Sequence, residues 1–111
     1  MAPFEIKKET VKSLGLVRTA MMELEYLIEL KKLPLAKQKR AALQLSDVQI
    51  AYLQLRKSVL ADIRDRLIAN EGDLIKGMDS IDKALGNLKK IEKMMQVVDG
   101  FLKLVAKVIS I

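Results

Sequence analysis

The chain has 111 residues, of which 50% are apolar and 31% are charged, and its formal net charge is +6 at pH 7. This length and composition predict one globular domain, residues 1–111, rather than a disordered chain. Neither cysteine nor histidine occurs, which excludes disulfides, thiolate chemistry and histidine-based metal or acid–base sites. The lack of cysteine fits a reducing compartment, and we expect a cytoplasmic protein.

The first predicted element is a long helix over about residues 4–32. Its apolar residues recur every three or four positions, which is the spacing of one face of an α-helix, at Val11, Leu14, Val17, Met21, Leu24 and Ile28. Pro34 is expected to end this helix, because proline lacks the backbone N–H and disfavours helical geometry at the residue before it.

A second helix is predicted over about residues 35–69, where the segment after Pro34 is rich in strong helix formers. Ser46 and Gln49 have the spacing of a capping box, so a new helix that begins at Ser46 is the alternative to a continuous one. We favour the continuous helix, in which Ser46 is a surface residue.

The third predicted helix covers about residues 73–110 and follows a turn at residues 70–73. In that turn we expect Gly72 to adopt a left-handed conformation and Asp73 to cap the new helix. From Leu74 to Ile109 the apolar residues continue at steps of three and four, which is typical of a coiled-coil seam. Such a helix would be roughly 57 Å long.

Short connections make neighbouring helices antiparallel. The predicted fold is therefore all-α: an elongated up-down-up bundle of three long helices with coiled-coil-like packing, which oligomerisation could complete. The C-terminal half of the third helix is the most apolar part of the chain. After Met94 its apolar face is about twice as wide as before, and two neighbours would leave part of it uncovered.

Two functional hypotheses explain this surplus apolar face. In the first, the chain is a non-enzymatic interaction or assembly protein that forms a homo-oligomer or binds a helical protein partner. The interface predicted for it consists of Met94, Met95, Val98, Phe101, Leu102, Val105, Val108 and Ile109. In the second, the same segment is a cationic amphipathic helix that lies on a membrane surface. No uncharged apolar run is long enough to predict a membrane-spanning helix.

A basic cluster is predicted at the corner between the first two helices, where it could contact lipid headgroups or another anionic partner. It comprises Lys31, Lys32, Lys37, Lys39 and Arg40. No aromatic side chain lies among these residues to stack on a base. Nucleic acid is therefore a disfavoured partner.

Pairs of carboxylates on one helix face are the remaining candidates for chemistry, at Asp62/Asp65, Asp79/Asp82 and Glu25/Glu29. A di-iron site in a helical bundle needs histidine beside such carboxylates, and the serines have no histidine to act as general base. We therefore expect solvated ion pairs, with no cofactor, no metal, no small-molecule substrate and no enzymatic activity.

Overall fold

The computed structural model describes residues 1–109, and within that range the protein is all-helical. The predicted fold class is therefore confirmed, but the described residues form six helices in place of three long ones. They are α1 (Pro3–Ala20), α2 (Leu24–Lys31), α3 (Leu35–Lys57), α4 (Leu60–Ala69), α5 (Glu71–Leu85) and α6 (Ile91–Ile109).

The predicted helix over residues 4–32 is broken between Ala20 and Leu24. Two backbone hydrogen bonds close the turn: the Met22 N–H donates to the Thr19 carbonyl, and the Glu23 N–H donates to the Ala20 carbonyl. Glu23 then has an extended backbone with ψ of 148°. No proline or glycine marks this break. Met21, which is 2% exposed, stays in the core while α2 turns away, so tertiary packing decides the change of direction.

The predicted helix over residues 35–69 is also broken, but at Ser58 and Val59. The helix α3 runs through Ser46 without interruption, as predicted. Ser58 and Val59 are extended, with ψ of 135° and 128°. The Lys7 ammonium donates a 2.7 Å hydrogen bond to the Ser58 carbonyl, so a contact from α1 helps to satisfy the backbone where α3 ends.

The turn predicted at residues 70–73 is tighter than expected. Asn70 alone separates α4 from α5, and its side-chain amide donates to the Arg66 carbonyl at 2.8 Å. Gly72 lies inside the first turn of α5, and no residue in the range 1–109 has a positive φ. The predictions of a left-handed Gly72 and an Asp73 cap are therefore wrong.

The predicted helix over residues 73–110 is a helical hairpin. Residues 86–90 separate α5 from α6, which pack against each other. Leu88 is buried in this connection, so the loop contributes to the core, although its Gly86-Asn87 pair is a polar turn signal. The described chain measures 44 × 24 × 18 Å, which leaves no place for a 57 Å helix. Residue 110, the predicted end, lies outside the described residues.

The core forms where α1, α3, α5 and α6 meet. The helix α1 packs against α3, α4 and α5, whereas α6 packs against α3, α4 and α5 and touches α2. Every helix contributes at least one buried side chain. The helix α6 contributes seven of its 19 residues, so it is the most deeply embedded element.

The two helices of the α5–α6 hairpin approach each other closely at Gly77. A Cβ atom at this position would lie 2.8 Å from Cδ1 of Phe101 and 3.2 Å from Cδ1 of Leu104. Phe101 is 2% exposed and its ring cannot swing into solvent. Glycine at position 77 therefore allows α5 to approach α6.

We predict opposite effects of alanine at two glycines of this hairpin. Gly77→Ala should lower the free energy of unfolding by about 1–2 kcal/mol, because overpacking against Phe101 outweighs the gain in helix propensity. Gly100→Ala, where a Cβ atom would meet nothing within 4 Å, should raise it by about 1 kcal/mol. Urea denaturation followed by circular dichroism measures both. Stabilisation by both substitutions would contradict the close approach at Gly77.

Candidate interaction surfaces

The eight apolar residues predicted as an interface on α6 lie mostly inside the protein. Six of them are between 0% and 5% exposed: Met94, Met95, Val98, Phe101, Val105 and Val108. Leu102 and Ile109 are half-buried. The face predicted to be surplus is core surface, because α6 has three packed helical neighbours and not two. A partner could reach the six buried side chains only if α6 left the bundle.

Polar contacts hold α6 in register against α3. Gln44, which is 4% exposed, donates from Nε2 to the Met95 carbonyl and to Oδ1 of Asp99, each at 2.8 Å. The Arg40 guanidinium donates to the other oxygen of Asp99 at 3.0 Å. Lys37 forms an ion pair with Glu92 nearer the start of α6. Because these contacts are directional, they fix both the axial position and the rotation of α6.

The far end of α6 is held by α4. The Arg66 guanidinium donates from Nε to the Val108 carbonyl at 2.6 Å, near the C-terminal end of α6, where helix carbonyls have no partner within the helix. A cationic donor there also opposes the negative end of the helix dipole. The membrane hypothesis needs the apolar face of α6 to be accessible to lipid. In the folded chain this face is packed against other helices. Among the described residues no helix meets the length and apolarity needed to span a membrane.

We predict that two substitutions on α6 separate its buried face from its accessible face. Val105→Asp places a carboxylate at a position that is 0% exposed and should abolish cooperative folding, because a buried unpaired charge costs several kcal/mol. Leu102→Asp lies at a half-buried position and should leave a cooperative transition. Thermal unfolding followed by circular dichroism compares them. Equal tolerance of both would show that α6 does not form the core.

An open groove runs between α3 and the accessible side of α6. It has two connected parts, with volumes of about 380 and 670 Å³, which share Gln54, Ala106 and Ile109 as lining residues. The first part is walled by Ile50 and Leu102, and the second continues past Val59 towards α4. Leu102 and Ile109, the two predicted interface residues that stay accessible, therefore belong to one apolar groove.

The charges around the groove are mixed. Asp47, Asp99 and Lys103 border the part beside Ile50, whereas Lys57, Asp62 and Arg66 border the part beside Val59. Asp99 and Arg66 already have partners within the chain. Neither sign of charge dominates, so the groove selects mainly for an apolar surface of suitable shape.

The five residues of the predicted basic cluster are all exposed, but they do not act as one surface of unpaired charge. Lys31 and Lys32 lie at the end of α2, whereas Lys37, Lys39 and Arg40 lie in the first two turns of α3. Three have carboxylate partners: Lys32 pairs with Glu29 at 2.9 Å, Lys37 with Glu92, and Arg40 with Asp99. Part of the positive charge therefore stabilises the fold.

The helix α2 has an exposed apolar surface. The sequence pattern alone does not distinguish these exposed residues from the buried ones. Leu24, Leu27 and Ile28 are 72%, 40% and 49% exposed. On the opposite side, Tyr26 is buried and Leu30 is half-buried. Burial raises the pKa of the Tyr26 hydroxyl by desolvation. The helix is thus apolar on two sides, of which one faces solvent.

The carboxylates of the predicted pairs lie mostly at the surface. Asp62, Asp65, Asp79 and Asp82 are exposed, and Glu29 is bonded to Lys32. Across residues 1–109 no three potential ligands of the His, Cys, Asp or Glu type come together in a way that could hold a metal ion.

No protein-family profile matches the chain, and searches of curated proteins and of solved structures find no significant match.

Proposed function

We propose that this protein is a non-enzymatic helical interaction protein that binds an amphipathic helix of a partner in the groove between α3 and α6. The observation that carries the proposal is the apolar lining that Ile50, Leu102, Ala106 and Ile109 share along the groove. Helix-in-groove binding uses apolar side chains at positions i, i+3, i+4 and i+7 of the bound helix.

The dimensions of the groove favour a helix over a small molecule. Along α6 its lining runs from Asp99 to Ile109, about 15 Å at the rise of an α-helix. The second part extends the same groove to Val59 and Ile63. This length accommodates two to three turns of a partner helix. Both parts are open to solvent along their length, whereas a small-molecule site normally encloses most of its ligand.

The mixed charges around the groove indicate which charged residues a bound helix would carry beside its apolar face. Lys103 and Asp47 lie at one end of the groove, and Lys57 and Asp62 lie at the other. A helix with both acidic and basic residues beside its apolar face would find opposite charges at each end. Such rim charges contribute more to orientation and association rate than to affinity.

Helix binding in the groove is tested by a substitution that fills the groove with a larger side chain. Ala106 is exposed and lines both parts, so Ala106→Arg should block a bound helix without removing core atoms. The probe is a displayed library of 16-residue helices with randomised apolar and charged positions, selected against the full chain. We expect selected helices to carry the i, i+3, i+4, i+7 pattern and to bind Ala106→Arg at least about tenfold more weakly.

The matched control is Ala42→Arg. Ala42 is also an exposed alanine within a helix, but it lies on the side of α3 away from α6. It should leave binding of the selected helices unchanged. A library that yields no helix above background, or helices whose affinity is the same for wild type and Ala106→Arg, would show that the groove is not a helix-binding site.

A further inference from the structure

We infer that the solvent face of α2 is a self-association site, at which α2 of a second copy of this chain packs antiparallel to it about a two-fold axis. The inference is independent of the groove between α3 and α6. It rests on which residues of α2 are exposed and on the order of charges along the helix.

The apolar part of this face is concentrated on one side of a short helix. At 100° per residue, Leu24, Leu27, Ile28 and Lys31 fall within an arc of about 100°. The three apolar members are each at least 40% exposed. Such a group of exposed apolar side chains on one face of a short helix indicates an interaction site.

The charges on α2 are arranged so that the helix complements itself when reversed. Glu23 and Glu25 lie at its N-terminal end, and Lys31 and Lys32 lie at its C-terminal end. Glu25 and Lys32 are about 20° apart on the same flank of the apolar face. In an antiparallel pair centred just past Ile28, Glu25 of each copy lies beside Lys32 of the other, on both sides of the axis, and adds to the contact that Lys32 already makes with Glu29 of its own chain. A parallel pair would place like charges together.

The antiparallel arrangement also gives a favourable interaction between the two helix dipoles and brings the apolar side chains of the two copies into contact. Two antiparallel helices oppose their dipoles, with acidic residues near each positive end. Across the axis, Ile28 of one copy meets Ile28 of the other with Leu27 beside them, and the long aliphatic stem of Lys31 reaches towards Leu24 of the other copy. The resulting interface is isologous, which is the usual form of a two-fold homodimer.

Two alternatives fit the charges less well. The solvent face of α3 also carries exposed apolar residues, including Leu43, Ile50 and Leu53. However, it has bases at both ends, Lys39 and Lys57, so a second copy in either direction would meet like charges. An anionic membrane would be repelled by Glu23 and Glu25 at the edge of the α2 face.

The size of the patch sets the expected affinity. The eight residues of α2 span about 12 Å. A pair of such helices buries less than the roughly 1,200–2,000 Å² of a standard stable interface. The dimer should therefore be weak and dependent on concentration, and an obligate assembly is not expected.

Sedimentation equilibrium of the full chain at low salt tests the inference, over a range from about 10 to about 500 μM, where a small interface is expected to dimerise. The wild type should pass from monomer to dimer. Glu25→Lys or Lys32→Glu alone should weaken the dimer about tenfold, because each creates two like-charge contacts per dimer in place of two ion pairs. The double variant Glu25→Lys/Lys32→Glu should recover the wild-type dissociation constant, which only an antiparallel arrangement allows.

The matched control is Glu5→Lys, which reverses an acid in the first turn of α1 with the same change in net charge as Glu25→Lys. It should leave dimerisation unchanged, and so should the groove variant Ala106→Arg, which separates this inference from the proposed function. Circular dichroism checks that every variant stays helical. A wild type that is monomeric throughout, single variants that dimerise normally, or a double variant that does not recover would each overturn the inference. So would a monomeric chain that floats with phosphatidylglycerol vesicles through Leu24 and Ile28.

Discussion

The burial of α6 against α3, α4 and α5 is the interaction on which the rest of the structure depends. Six apolar side chains between Met94 and Val108 are almost completely removed from solvent. At about 2 kcal/mol for each side chain, their transfer contributes roughly 10 kcal/mol, which is comparable with the whole net stability of a small domain. No other helix of the described chain buries as many residues.

The requirement to cover α6 also explains why the chain has so many breaks. A straight helix through residues 73–109 would leave its apolar half without neighbours, whereas a hairpin at residues 86–90 places α5 alongside it. The break at Ser58 gives α4 its own orientation, and from there Arg66 bonds the end of α6. The surfaces that remain accessible follow from the same packing: the groove lies along the edge where α3 and α6 do not close, and α2 packs with one face only.

The helical class, the helix boundary at Pro34 and the continuity of α3 through Ser46 can be predicted from the sequence, because each depends on local periodicity or on proline. The breaks at Met21–Glu23 and Ser58–Val59 cannot. They coincide with tertiary contacts: Met21 is buried in the core, and a lysine 51 residues away bonds Ser58. The Gly86-Asn87 pair is a usable turn signal, but the uninterrupted apolar spacing across it favours a single helix.

The position of the interaction surfaces can be predicted only in part. Leu102 and Ile109 are among the predicted interface residues and line the groove. The other six are buried in the chain's own core, which could not be predicted because sequence periodicity shows how wide an apolar face is but not how many helices surround it. The same periodicity assigns Leu24 and Ile28 to the core stripe of a straight helix. The turn before α2 rotates them to the surface, and no local pattern specifies that rotation.

Native-state hydrogen exchange tests most directly whether α6 is the core of this protein. The amides of residues 95–107 should exchange only through global unfolding, with opening free energies equal to the free energy of unfolding measured with urea, whereas amides of α2 should exchange through smaller local openings. If the amides of α6 exchange with opening free energies far below the global value, α6 leaves the bundle readily, and its burial is not the interaction that holds the fold together.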